Sequence, residues 1–445
     1  MGRAGAKGHN PAPRRGGFKF EVSDVPSRLF LLTTCFLFFS LAVAAPPSPA
    51  VPGGGETLPV MLDLGEFGVP ALAGDGPMRI TADAAVLMDA GTGQVLYAKN
   101  AHQPRPPAST TKILTALLAL EGGVPDQLVT VSPRAAAVGE SSMGLFPHQR
   151  LTLRQLVYGA LLCSGNDACV AIAEHLAGSE ENFVWLMNGK ARELGATRTS
   201  FRNPHGLPAP GHVSTAYDLA LLARYALSNP AFREIVSTRY HAFTCPPWGV
   251  YHLHNTNRLL WSYPGADGVK TGTTGEAGQC LVASASCGGR RLISVVLHSE
   301  DRYGDTVALL NYGFGAFKED TVVEAGQVCG QAEVSFGVAP RVSLVSARTL
   351  KAVLPARGGA GAEKRVFSPG GLVAPVPPKM PAGHLEVWVG GQPVARALLL
   401  TASQVKKKPF YRLWWEGIKD FGRRQRIETR HVFSRMGVQG ICTRQ

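Results

Sequence analysis

The chain has 445 residues, 45% of them hydrophobic and 17% charged, a globular composition that excludes a wholly disordered chain or a collagen-like fibre. Only one hydrophobic run is long enough to concern a membrane, which excludes a multi-span transporter. The net charge of +13 lies at the ends, +4 in residues 1–45 and +8 in residues 401–445 with +1 between, so the body carries no basic stripe for nucleic acid.

Arg28 precedes an apolar stretch over 29–45 that ends in Ala42-Val43-Ala44 before Pro46-Pro47. That pattern predicts an export signal cleaved after Ala44, with an uncut anchor as the alternative. Residues 1–45 are therefore read as an N-terminal extension and signal peptide. Residues 46–79, rich in Pro, Gly and Ala, are read as a linker.

The next segment, 80–318, is predicted to form an α/β domain. Short apolar runs at Ala84–Met88 and Gln94–Tyr97 flank Asp89-Ala-Gly-Thr-Gly93, a hairpin pattern. Helices are expected over 109–121, 151–162, 168–176, 183–194 and 215–226, with Gly122-Gly123 stopping the first. Residues 279–286 and 291–297 flank Cys287-Gly-Gly-Arg290 as a second hairpin, and 307–317 reads as a helix. Pairing of the first strand with these distant ones gives a mostly antiparallel sheet flanked by helices. Residues 319–402 show short β runs among Pro and Gly, a separate β-rich domain.

The tail, 403–445, opens on Lys406-Lys-Lys408. It then repeats apolar residues at steps of three and four: Phe410, Leu413, Trp414, Ile418 and Phe421. With Arg412, Lys419, Arg423 and Arg424 off that stripe, the pattern predicts a basic amphipathic helix lying on an anionic membrane surface. Docking on the protein's own core is the alternative.

Eight cysteines with irregular spacing and no C-x-x-C pair give no zinc ribbon or redox motif. His252 and His254 alternate on one strand face, but neither a third ligand nor H-E-x-x-H joins them, so no metal or other cofactor is expected. His205 is read as structural.

Three short motifs occur in order: Ser109-Thr-Thr-Lys112, Ser164-Gly-Asn166 and Lys270-Thr-Gly272. Positions i and i+3 share a helix face, so the Ser109 hydroxyl and the Lys112 amine can meet. A serine hydroxyl needs a base to become a nucleophile, and Lys112 serves only when neutral. Burial and a second cation, Lys270, are both expected to lower its pKa. The bland alternatives are a capping role for Ser109 and a solvated helix face for Lys112. Ser164 and Asn166 fall on a break between helices, suited to a proton relay and to a hydrogen bond with a substrate amide. Lys270 to Thr273 read as an edge strand. There Lys270 and Thr271 are expected to bind a substrate carboxylate and Gly272 to admit substrate backbone, and the N–H groups of Ser109 and Thr273 are candidates for an oxyanion hole.

This set resembles the serine-type D-alanyl-D-alanine carboxypeptidases, the low-molecular-mass penicillin-binding proteins. The likeness runs over about residues 80–420. It rests on Pro107-Ala-Ser-Thr-Thr-Lys112, Leu162-Cys-Ser-Gly-Asn-Asp-Ala168, Phe201-Arg-Asn-Pro-His-Gly-Leu207, Ser214-Thr-Ala-Tyr-Asp218, Asn255-Thr-Asn257 and Asp267-Gly-Val-Lys-Thr-Gly-Thr-Thr274. The resemblance implies a penicillin-recognising transpeptidase-like domain, then a β-rich domain and an amphipathic anchor. It also implies removal of the terminal D-alanine from peptidoglycan pentapeptides, acylation by β-lactam antibiotics, and a peripheral place on the extracytoplasmic face of the cell membrane. Ser109 is then the nucleophile, Lys112 the base, Ser164 and Asn166 the second motif, and Lys270 the carboxylate anchor, with Arg302 as a second charge for that carboxylate. Two other classes stay open. One is a class A-like β-lactamase, for which Glu181 is the acid left to hold a hydrolytic water; the other is a non-catalytic wall-binding protein.

Overall fold

The computed structural model describes residues 79–356, 361–368, 370–412, 414, 415, 418 and 419. The expected signal segment and linker, and most of the tail beyond 412, lie outside these residues.

The N-terminal part opens with the expected hairpin, β1 (Ala84–Asp89) and β2 (Val95–Lys99), paired antiparallel. A 3-10 turn (Ala108–Thr111) then leads into α1 (Lys112–Gly122). Next come β3 (Leu128–Thr130), α2 (Pro133–Ala136), β4 (Arg150–Thr152), α3 (Leu153–Leu161), α4 (Asn166–Ala177), α5 (Glu180–Glu193), α6 (Ala216–Ala226) and α7 (Pro230–Ser237). A hairpin of β5 (Tyr240–Thr244) and β6 (Val250–His254) follows, then α8 (Leu259–Ser262), β7 (Ala266–Thr274), β8 (Gly278–Cys287), β9 (Arg290–Ser299) and α9 (Arg302–Ala316).

Local sequence explains where the helices start. Thr152 and Gln155 form a reciprocal capping box on α3. The side chains of Ser179, Thr215, Asn229 and Asp301 cap α5, α6, α7 and α9.

The central sheet runs β2-β1-β9-β8-β7 and is antiparallel throughout, so β1 does pair with a strand some 200 residues away in sequence. Both of its faces are covered, and the two-residue strand period sorts the side chains. Ala84, Val86, Met88, Val282, Val295 and Leu297 join the large core shared with α1 and α3 to α7. Ala85, Leu87, Leu281, Ala283, Leu292 and Val296 face the other way, onto Leu309 and Leu310 of α9. Strand β7 is left at the edge, beside the turn that carries Ser109.

The C-terminal part contains β10 (Phe317–Val323), β11 (Val328–Ser335), β12 (Arg341–Ser346), β13 (Leu350–Pro355), β14 (Glu363–Phe367), β15 (Leu372–Val373), β16 (Pro381–Val389) and β17 (Gln392–Thr401). Six of these form a sheet ordered β14-β16-β17-β12-β11-β15, with its own core around Val334, Leu344, Leu385 and Leu399. The pair β10–β13 joins the two parts. Phe317 and Val353 bury their side chains in the core beneath α9, and the Gln94 amide donates to Val353 O (2.9 Å) and accepts from Val353 N (3.0 Å).

Residues 410–412, 414, 415, 418 and 419 have helical backbone, and Phe410, Trp414, Trp415 and Ile418 are all exposed rather than docked. Among the described residues no helix is long and apolar enough to cross a membrane.

Candidate active site

Ser109 does not begin the α-helix, as the sequence pattern suggested. It lies inside the preceding 3-10 turn, and regular helix starts at Lys112. The tighter winding eclipses side chains three residues apart, which sets Lys112 Nζ 2.9 Å from Ser109 Oγ. Ser109 makes no side-chain cap, so the capping alternative fails. Lys112 is fully buried, not solvated.

The Lys112 amine donates to three oxygens: Ser109 Oγ, Asn166 Oδ1 (2.8 Å) and the backbone O of His205 (2.6 Å). An ammonium has three N–H bonds, so all are satisfied. A neutral amine keeps two of them for Asn166 and His205, and its lone pair then points at Ser109. Burial pushes the Lys112 pKa down from 10.5 to about 8.

Lys270 is also fully buried, and burial, with the Lys112 charge next, lowers its pKa to about 7. The repulsion between the two lysines disfavours charging both, and Lys270 has fewer polar partners to offset it. Lys112 has its three acceptors and the nearby Asp167 and Glu140 charges, whereas Lys270 donates to Thr271 O (3.1 Å).

The second motif divides its work differently from the sequence reading. Asn166, at the first turn of α4, is engaged at both ends: Oδ1 by Lys112 and Nδ2 by Gly139 O (3.0 Å). It holds the base through Oδ1, and its Nδ2 group has a second N–H beyond the one given to Gly139. Ser164 is buried in a left-handed backbone conformation (φ 64°), and among the described residues its hydroxyl makes no hydrogen bond to Lys112.

The third motif faces the serine from β7. Gly272 fits closely there, since a Cβ on it would lie 3.0 Å from Ser109 N and 3.1 Å from Pro107 O, and the serine turn would have to shift to admit it. The Thr271 hydroxyl lies 2.7 Å from that of Thr256, in the Asn255-Thr-Asn257 turn. Thr273 is exposed toward the cleft, and Arg302 donates to its hydroxyl (2.7 Å) and to Gly272 O (3.0 Å). Hydrogen bonds thus link Ser109, Lys112 and Asn166, and others link Gly272, Thr273 and Arg302, with Gly272 against the Ser109 turn and Lys270 close enough for the Lys112 charge to act on it.

Two contributors escaped the sequence reading. Asp167, fully buried, accepts from Ser142 Oγ (2.6 Å) and from the backbone N of Met143, Gly144 and Leu145, strapping that loop over the site. Its only signal was an acid directly after Ser-Gly-Asn. His205 is buried and structural as expected, but its carbonyl is the third acceptor for the base. Glu181 is 73% exposed in its side chain and reaches toward Arg134 (3.8 Å).

Comparison with known proteins supplies the family. The model described as D-alanyl-D-alanine carboxypeptidase matches residues 72–301, and that of the penicillin-binding protein 5 C-terminal domain matches 317–407. D-alanyl-D-alanine carboxypeptidase DacF of Bacillus subtilis is 35% identical over 74% of this chain and 87% of its own length. DacC of Escherichia coli is 35% identical over 76% and 87%. The crystal structure of penicillin binding protein 5 from Haemophilus influenzae superposes with a TM-score of 0.66 at 32% identity, covering 75% of this chain and all of that one. With more than half its length inside the first match and the second covering the β-rich part, the chain belongs to the D-alanyl-D-alanine carboxypeptidase family.

Proposed function

We propose that the chain is a serine carboxypeptidase that removes the terminal D-alanine from a peptidoglycan pentapeptide through an acyl-enzyme, and that penicillin acylates the same serine. The observation that carries this is the 2.9 Å contact between Ser109 Oγ and a buried, pKa-lowered Lys112 amine. The family names of the relatives agree with it.

The neutral Lys112 amine takes the Ser109 proton as Oγ bonds to the carbonyl carbon of the penultimate D-alanine. The N–H groups of Ser109 and Thr273 receive the developing oxyanion. The C–N bond breaks, and the proton held on Lys112 passes to the departing amine. Water then attacks the ester, returning the proton to Ser109 Oγ and releasing the shortened peptide. Arg302 and the Thr273 hydroxyl stand at the open side of β7, where the terminal carboxylate arrives, and Lys270 reinforces that positive field from beneath.

The exposed position of Glu181 speaks against a class A-like water-activating acid, and the assembled base speaks against a purely wall-binding role. The basic, aromatic tail supports peripheral attachment to an anionic membrane outside the cytoplasm, consistent with the export pattern at 29–45.

The test is release of free D-alanine from a synthetic pentapeptide, with benzylpenicillin labelling in parallel. The wild type is expected to do both and to hold the penicilloyl group for long times; Ser109→Ala is expected to do neither. Equal D-alanine release by Ser109→Ala would end the assignment, and rapid penicillin turnover by the wild type would favour the lactamase.

A further inference from the structure

The segment 201–212 grips the serine turn at several points. The His205 carbonyl accepts from Lys112, and the Pro204 carbonyl accepts from Thr115 Oγ1 (2.6 Å) on the next turn of α1. Gly206 (φ 95°) packs so closely that a Cβ on it would collide with the carbonyl of Ala108. Ala108 directly precedes Ser109 and holds a left-handed backbone (φ 48°), a conformation its side chain disfavours and its surroundings must enforce.

One buried side chain of the segment, His212, reaches that same carbonyl through Thr111. The Arg202 N–H donates to His212 Nδ1 (3.1 Å), so in the neutral ring the proton sits on Nε2. Burial, then the Arg202 and Lys112 charges, lowers the His212 pKa to about 4, which keeps the ring neutral near pH 7. Nε2 lies 2.9 Å from Thr111 Oγ1 and donates to it. The Thr111 hydroxyl then gives its own proton to Ala108 O (2.8 Å). Direction is fixed at both ends of this chain, because an amide N–H only donates and a carbonyl only accepts. The Phe201 ring meets the imidazole edge-on, with centroids 5.6 Å apart, and holds its plane.

The acylation steps above use Ser109 and Lys112 but no atom of His212. Resting on the carboxypeptidase reading of the site, we propose that His212 is a positioning residue for acylation: through Thr111 it fixes the Ala108 carbonyl, and with it the turn that aims Ser109 Oγ at Lys112 Nζ. It touches neither substrate nor the reacting atoms. Its effect is on rate, through the 2.9 Å contact between nucleophile and base. A misplacement of about 1 Å can cost about 10²-fold, so a turn loosened by a fraction of that is expected to cost about tenfold.

The experiment follows benzylpenicillin acylation by stopped flow, which separates the first-order acylation rate from the dissociation constant of the preceding complex. His212→Phe keeps a buried ring and removes both nitrogen contacts. It is expected to lose about tenfold in acylation rate, or about 1.4 kcal/mol of barrier, with the dissociation constant unchanged. His212→Gln restores an N–H near the place of Nε2 and is expected to recover most of the rate. Thr111→Val breaks the same chain at its next link, so the double variant His212→Phe, Thr111→Val is expected to be no slower than the slower single one. Wild-type acylation by His212→Phe, even with lowered thermal stability, would reduce the residue to a structural role and overturn the proposal. So would a glutamine variant no faster than the phenylalanine one, a loss confined to the dissociation constant, or single losses that multiply in the double variant. Absence of acylation in the wild type would instead overturn the underlying reading.

Discussion

Lys112 decides the chemistry at the scale of single residues. Its three oxygen partners would favour the charged form, yet full burial outweighs them and lowers its pKa to about 8. At pH 7 about one molecule in ten then carries the neutral amine ready for attack. The sign follows directly: a base that must be unprotonated works better as pH rises through its pKa. Acylation by benzylpenicillin, followed by stopped flow, is expected to climb along a limb centred near 8, and a midpoint left at the ordinary lysine value of 10.5 would contradict the buried-base account. Lys112→Arg keeps the charge but cannot accept the proton, so acylation should drop by about 10²–10⁴ at every pH on that limb. The pairing of Ser109 with Lys112 was legible because i and i+3 spacing survives any helical winding. Which oxygen atoms flank the amine was not, since the His205 carbonyl lies 93 residues away and a backbone acceptor leaves no mark on composition.

Among the elements, the start of α4 does the most positioning. Asn166 and Asp167 are neighbours, one turned to the base and the other to the loop 142–145. Replacing Asp167 with Ala strands several N–H groups in a buried place, at a cost of about 2–3 kcal/mol. Denaturant unfolding of Asp167→Ala should show that loss together with a fall in kcat/KM for D-alanine release. A variant as stable and active as the wild type would show that the strap is dispensable. The expected long helices and both hairpins of the catalytic part appear because apolar periodicity and turn glycines specify them locally. The short α2, α7 and α8 and the β5–β6 hairpin were not anticipated. In β5 only alternate residues are half-buried, and four-residue helices such as α8 carry too little periodic signal to stand out.

For the whole molecule, the division of labour between ends and body matters more than net charge. The body at +1 encloses the catalytic residues, while the cationic charge lies in the termini, and the proposed attachment rests on the C-terminal one. Deleting residues 405–445 from a protein that begins at residue 45 should release it from anionic vesicles in a sedimentation assay without loss of penicillin labelling. Retention on the vesicles would assign anchoring to another segment. The overall plan of a helix-flanked sheet followed by a β-rich part was legible from hydrophobic period alone. The join between the parts was not, because Gln94 clasps Val353 across a gap of 259 residues through backbone atoms.

The seal around Lys112 has one more consequence. An amine with no exposed surface gives bulk water no direct contact with the proton it holds while the serine is being acylated. On the proposed route the proton taken from the hydroxyl stays inside the pocket, on Lys112, until the departing amine takes one up, so leaving-group departure draws no proton from bulk water.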